Sequence, residues 1–106
     1  MKLALSALVI LAATSPALAA VDRDTAVTTL ASLYNSADVC NLVISRAKVD
    51  AYRSANTPAG DAMFNVDVFQ ATHALYAKQK DWSKQQLDDY CKSAAETVRT
   101  LGMNLN

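Results

Sequence analysis

The chain has 106 residues, with ten basic and ten acidic side chains, two glycines, two prolines and a hydrophobic fraction of 52%. A chain of this length has room for one hydrophobic core. Its balanced charge gives no cationic footprint for nucleic acid or an anionic membrane surface, and the lack of Asn-Gly or Asp-Gly pairs removes the turns that β-hairpins need.

Met1-Lys2 supplies a short positive start, and Leu3 to Ala13 is an apolar run broken only by Ser6. Such a run matches the core of a signal peptide and is too short to span a bilayer. Thr14, Ser15 and Pro16 end it, and Ala17-Leu18-Ala19 puts small residues where a signal peptidase needs them, so cleavage is expected after Ala19 or Ala20. Residues 1–20 therefore read as a signal peptide and residues 21–106 as a single helical domain. Without Lys2, nine basic side chains face ten acidic ones, a formal charge of −1. No later stretch reaches the length of a membrane span. The expected location is the bacterial periplasm, an oxidising space.

The first helix is predicted from Asp24 to about Asn41, where Ala26, Leu30, Leu33, Ala37 and Cys40 recur at spacings of three and four beside Val27 and Tyr34. Asp22 and Asp24 stand where caps belong. Ser45 can cap a second, shorter helix carrying Val49 and Tyr52 and fading at Asn56. Asn56 to Gly60 reads as a loop, with Thr57 or Asp61 as alternative caps for the third helix, about Asp61 to Gln79. That helix carries two apolar rows, Met63, Val66, Phe69 and Ala77, and Phe64, Val68, Ala71 and Leu75, which marks it as the central helix of the domain. Ser83 with Gln86 forms a capping box for the fourth helix, whose stripe runs through Leu87, Tyr90, Cys91, Ala94, Val98 and Leu101 to a stop at Gly102. The predicted fold is all-α: a small four-helix domain, one helix short, cross-linked by a single disulfide.

Cys40 and Cys91 are the only cysteines, and both lie on apolar stripes. Paired in an oxidising compartment they close a loop of about 50 residues, which stabilises the fold by about 4 kcal/mol on the chain-entropy model. Neither sits in the C-x-x-C spacing of a redox-active pair, and a zinc site from Cys40, Cys91 and His73 would lack a fourth ligand. His73, the only histidine, reads as a half-buried, hydrogen-bonded side chain. Nucleophile elbow, glycine-rich phosphate loop, H-E-x-x-H and C-x-x-C-H motifs are all missing from the sequence, so the chain is read as no enzyme, without a bound cofactor.

The carboxylates are unusual: beside nine aspartates stands a single glutamate, Glu96. Aspartate is a poor helix former. Asp22, Asp24, Asp61 and Asp81 fall near helix starts, whereas Asp38, Asp50, Asp67, Asp88 and Asp89 fall inside helices. One interpretation is a surface site for a hard cation, calcium or a lanthanide, with Asp22, Asp24, Asp88 and Asp89 as ligands and a homodimer completing the set. The other is a solvated face, since Lys84 and Lys92 lie four residues either side of Asp88. Trp82, Tyr76 and Tyr90 gather about the turn between the third and fourth helices, where they close the bundle or anchor a partner.

In architecture, and in the Tyr90-Cys91-Lys92 neighbourhood, the chain is similar to the small acid-stress chaperones of the enterobacterial periplasm. That resemblance implies a helical fold with one widely spaced disulfide and an acid-activated chaperone role toward unfolded clients. The leading expectation is a small exported accessory or binding protein acting through contacts with a protein partner or client in the periplasm. Hard-cation binding and acid-activated chaperoning are its alternatives.

Overall fold

A computed structural model describes residues 21–105. The expected signal peptide, residues 1–20, lies outside the described residues. Four helices follow in chain order: α1 (Arg23–Val39), α2 (Arg46–Asn56), α3 (Phe64–Gln79) and α4 (Lys84–Thr100). The described residues hold no strand. α2 is the short helix, with 11 residues against 16 or 17 in the others. Cys40 and Cys91 are disulfide-bonded, with Cα atoms 5.6 Å apart. The all-α, four-helix, disulfide-linked fold is as the sequence predicts.

The helix ends follow local chemistry. Ser45 accepts a hydrogen bond from Lys48 N at 3.3 Å, which satisfies one of the free N–H groups opening α2. At α4 the capping box is complete: Ser83 Oγ accepts from Gln86 N at 3.1 Å, and Gln86 Oε1 from Ser83 N at 2.8 Å. Gly102 stops α4 in the left-handed region, at φ 69°. Asp22 flanks α1 without a side-chain cap bond.

Two boundaries differ from expectation. α1 ends at Val39 and not at Asn41, because Asn41 itself turns the chain in the left-handed region at φ 54°, a conformation asparagine tolerates. α3 begins at Phe64 and not at Asp61. The Asp61 carboxylate instead accepts from Met63 N at 3.2 Å, forming a turn just ahead of the helix. Thr57, the other candidate cap, donates its hydroxyl to Arg53 O at 2.7 Å and so closes the end of α2.

The central helix is α1, which corrects the assignment of that role to α3. α1 touches all three other helices and packs most extensively against α3. It buries Ala26, Val27, Leu30, Ala31 and Leu33, together with the polar Asn35 and Ser36. α3 buries only Phe64 and Val68, with Ala71 packed against the core. α2 and α4 dock on α1, and the disulfide ties α4 to the end of α1, so the row of α3 carrying Met63, Val66 and Phe69 is left exposed.

Phe64, Leu30 and Met103 are the largest apolar side chains that are fully buried, and Tyr52 joins them in the core. Met103 is brought there by the chain past α4, which folds back on α2: Ser45 N donates to Met103 O at 2.7 Å and Lys48 Nζ to Asn104 O at 3.0 Å. Among the described residues no helix is long and apolar enough to cross a membrane.

Candidate functional site

Most of the aspartates inside helices have acquired partners that explain them. Asp67, in the first turn of α3, and Asp61, just before it, both pair with Arg23 of α1, at 2.8 Å and 2.6 Å. The Arg23 guanidinium also lies over the Phe64 ring, 5.7 Å from its centroid, so one side chain clamps the N-terminal ends of α1 and α3. Its hydrogen bond holds the Asp61 carboxyl below its ordinary value near 3.8, while the two carboxylates raise the Arg23 pKa. Asp38 accepts from the Tyr76 hydroxyl at 2.7 Å and raises that phenol's pKa. Asp88 pairs with Lys84 at 2.8 Å and raises its pKa, and Asp89 accepts from Gln85 at 3.2 Å.

The four aspartates considered as cation ligands do not converge within one chain. Asp22 and Asp24 begin α1, whereas Asp88 and Asp89 lie less than a turn before Cys91, which is bonded at the other end of α1. Along a helix rising 1.5 Å per residue, this separates the two pairs by about 25 Å. Among the described residues no group of three or more His, Cys, Asp or Glu is placed to hold a metal ion.

The disulfide end of the molecule is closed by a polar junction that the sequence pattern did not reveal. Asn35 of α1, 0% exposed, exchanges two hydrogen bonds with Gln79 of α3, at 3.0 Å and 2.6 Å, and accepts a third from the Tyr90 hydroxyl of α4 at 2.6 Å. Trp82 packs edge-on against the Tyr90 ring at 5.2 Å. Tyr76, Trp82 and Tyr90 are each half-buried. Three helices thus meet on one buried amide, with the Trp82–Tyr90 pair packed beside it.

The outward row of α3 is different in kind. Met63 is 54% exposed, Val66 39% and Phe69 64%, at successive spacings of three, so they form one apolar strip on the helix surface. Apart from Asp67, which is paired with Arg23, α3 carries no charged side chain before Lys78. His73 is exposed and not half-buried, and it makes no hydrogen bond among the described residues. It lies against Phe69, with ring centroids 4.3 Å apart and planes inclined at 57°. His73 stands at the open edge of α3, where among the described residues no helix packs over its ring.

Beside this strip runs a groove of about 410 Å³ between α1, α2 and α3, walled by Tyr34, Val68, Phe69 and Tyr76, with Arg53, Thr72 and His73 supplying polar groups. Arg53 Nη2 donates to the Tyr34 hydroxyl, and its Cζ lies 5.3 Å from the Tyr34 ring centroid. Thr72 donates its hydroxyl to Val68 O at 2.7 Å. On its other side Arg53 borders a second groove, about 280 Å³, shared with Arg46 and Asp50.

The chain matches no protein family, no curated protein and no solved structure. Sequence reasoning missed Tyr34 and Arg53 as site residues. Tyr34 lay beside the predicted core stripe and Arg53 near the end of a short polar helix, 19 positions away, so no local pattern joined them.

Proposed function

We propose that this chain is a small exported binding protein that works through contact with a protein partner and not through catalysis. The observation that carries this proposal is the exposed Met63-Val66-Phe69 strip on α3, which no other helix covers among the described residues. An apolar strip left in water by the native fold is the type of surface that protein partners cover. The disulfide and the signal-peptide-like leader support export to an oxidising compartment, most simply the periplasm.

Site-specific photo-crosslinking in the producing cell tests the proposal. A benzophenone amino acid placed at Val66 or Phe69 gives a discrete adduct, and one placed at Gln85 or Glu96 on the polar face of α4 gives none. An adduct of twice the chain mass identifies a second copy as the partner. Adducts of equal intensity from all four positions, or from none, overturn the proposal.

A further inference from the structure

We infer that the groove between α1, α2 and α3 is a binding site for a small organic acid, a single carboxylate carried on an aromatic or medium-length alkyl body. The inference starts from Arg53. Of the four arginines, Arg23 pairs with Asp61 and Asp67, Arg99 pairs with Glu96, and Arg46 is exposed. Arg53 is half-buried and forms no ion pair with any carboxylate among the described residues. Its Nε is buried with no acceptor, although Nη2 is spent on the Tyr34 hydroxyl.

A guanidinium carries five donors, and closing one of them to water without an acceptor, as at this Nε, is unfavourable. A carboxylate offers two oxygens in the geometry of that planar fork. The two grooves that Arg53 borders are not equivalent. The smaller one already contains the Asp50 carboxylate, which repels an incoming anion. The lining of the larger one contains no acidic residue; Asp38 lies just outside it, engaged by the Tyr76 hydroxyl at 2.7 Å, and Arg53 is the charged side chain in the lining itself.

The rest of that groove defines the body of the ligand. Val68, Phe69 and the rings of Tyr34 and Tyr76 present carbon, and the Thr72 hydroxyl hydrogen is committed to Val68 O. A volume of about 410 Å³ lies within the range of small-molecule sites. One guanidinium matches one negative charge, which disfavours phosphorylated or polyacidic ligands. Because the Nε is buried, binding is expected to draw the Arg53 side chain from Tyr34 toward the groove, where the Nε gains an acceptor.

The test is a nitrogen–proton NMR titration of the exported, oxidised protein with 4-phenylbutyrate and, in parallel, with the uncharged 4-phenylbutyramide. The acid is expected to shift the Arg53 Nε–H resonance and the Val68, Phe69 and Thr72 amides saturably, and the amide to bind about tenfold more weakly or worse. Arg53→Gln lowers the acid to the level of the amide, whereas Arg53→Lys, which keeps the charge and loses the fork, falls between them. Because the comparison of the two probes uses the unaltered protein, it holds even if a variant folds poorly. Equal binding of acid and amide, or no shift with either, overturns the inference. So does binding of a peptide through its free C-terminal carboxylate when 4-phenylbutyrate is inert, since that assigns the groove to a macromolecule. Failure here leaves the protein-partner proposal standing, because the crosslink from Val66, which is on the outer strip and outside the groove lining, reports on the strip alone.

Discussion

Replacing Asn35 by alanine removes the amide on which α1, α3 and α4 converge. Three hydrogen bonds are lost, two exchanged with Gln79 and one from Tyr90. At about 1 kcal/mol net for each, the loss approaches ~3 kcal/mol. Gln79 and Tyr90 are half-buried and recover part of this by turning to water, while the vacated volume at a fully buried position adds a packing loss. The expected destabilisation is about 2–3 kcal/mol, which in a domain of this size lowers the melting temperature by roughly 10–20 °C. Thermal unfolding followed by circular dichroism, with urea titration at 25 °C for the free energy, measures it. Asn35→Asp supplies an internal control: an ionised carboxylate still accepts from Tyr90 and Gln79 but cannot donate to Gln79 Oε1, and it introduces a charge at a position closed to water. That variant is expected to be weaker than wild type at neutral pH and to recover as the solution is acidified and the carboxyl protonates. A cost below about 1 kcal/mol for Asn35→Ala, or an Asn35/Gln79 double-mutant cycle with no coupling, would refute the view that this junction holds the helices together.

Loss of the disulfide in the Cys40→Ser, Cys91→Ser double variant opens a cross-link spanning 51 positions and is expected to cost about 4 kcal/mol, lowering the melting temperature by about 15 °C or more; a shift under about 5 °C would show that the helices hold their places without it. The Arg23–Asp61 pair gives a pH dependence of fixed sign. Because the folded Asp61 carboxyl is held below its ordinary value near 3.8, its stabilisation is complete above that pH and is lost as the pH falls through the folded value. The melting-temperature gap between wild type and Asp61→Asn should therefore be constant from about pH 7 to 5 and close below about pH 3.8; a gap that widens on acidification contradicts the pairing. On the outer strip, Met63→Ser with Phe69→Ser is expected to change stability by no more than about 1 kcal/mol, since both side chains are already largely in water. Equilibrium urea unfolding decides this, and a cost of 3 kcal/mol would mean that the strip is covered within the monomer.

Local chemistry was legible in the sequence at three helix ends, though not at Asp22, Thr57 or Asp61. Ser45, the Ser83–Gln86 box and Gly102 mark helix ends through bonds spanning three or four residues, and the structure places them as predicted. The pairing of Cys40 with Cys91 was legible for another reason: with two cysteines there is only one intramolecular choice. Periodicity located both apolar rows of α3 but carries no information about which row a neighbour covers, hence the exchange of central helix between α3 and α1. Asn35 and Ser36 were unreadable because a polar side chain in a helix looks solvent-facing until its partner appears, and the partners of Asn35 are 44 and 55 positions away. The same distance effect hid the roles of other aspartates: Asp61 meets Arg23, and Asp38 meets Tyr76, across 38 positions, and both are clamps between helices or their flanks.

The claim that the outer strip of α3 is the working surface is tested most directly by covalent footprinting with hydroxyl radicals, first on the purified protein and then in periplasmic extract of the producing cell. Met103, 1% exposed, and Val43, 68% exposed and distant from the strip in sequence, serve as buried and open references. Met63 and Phe69 are expected to be modified rapidly in the purified protein and to be protected several-fold in the extract while Val43 is unchanged. Equal rates at Met63 and Phe69 in both preparations would contradict the account.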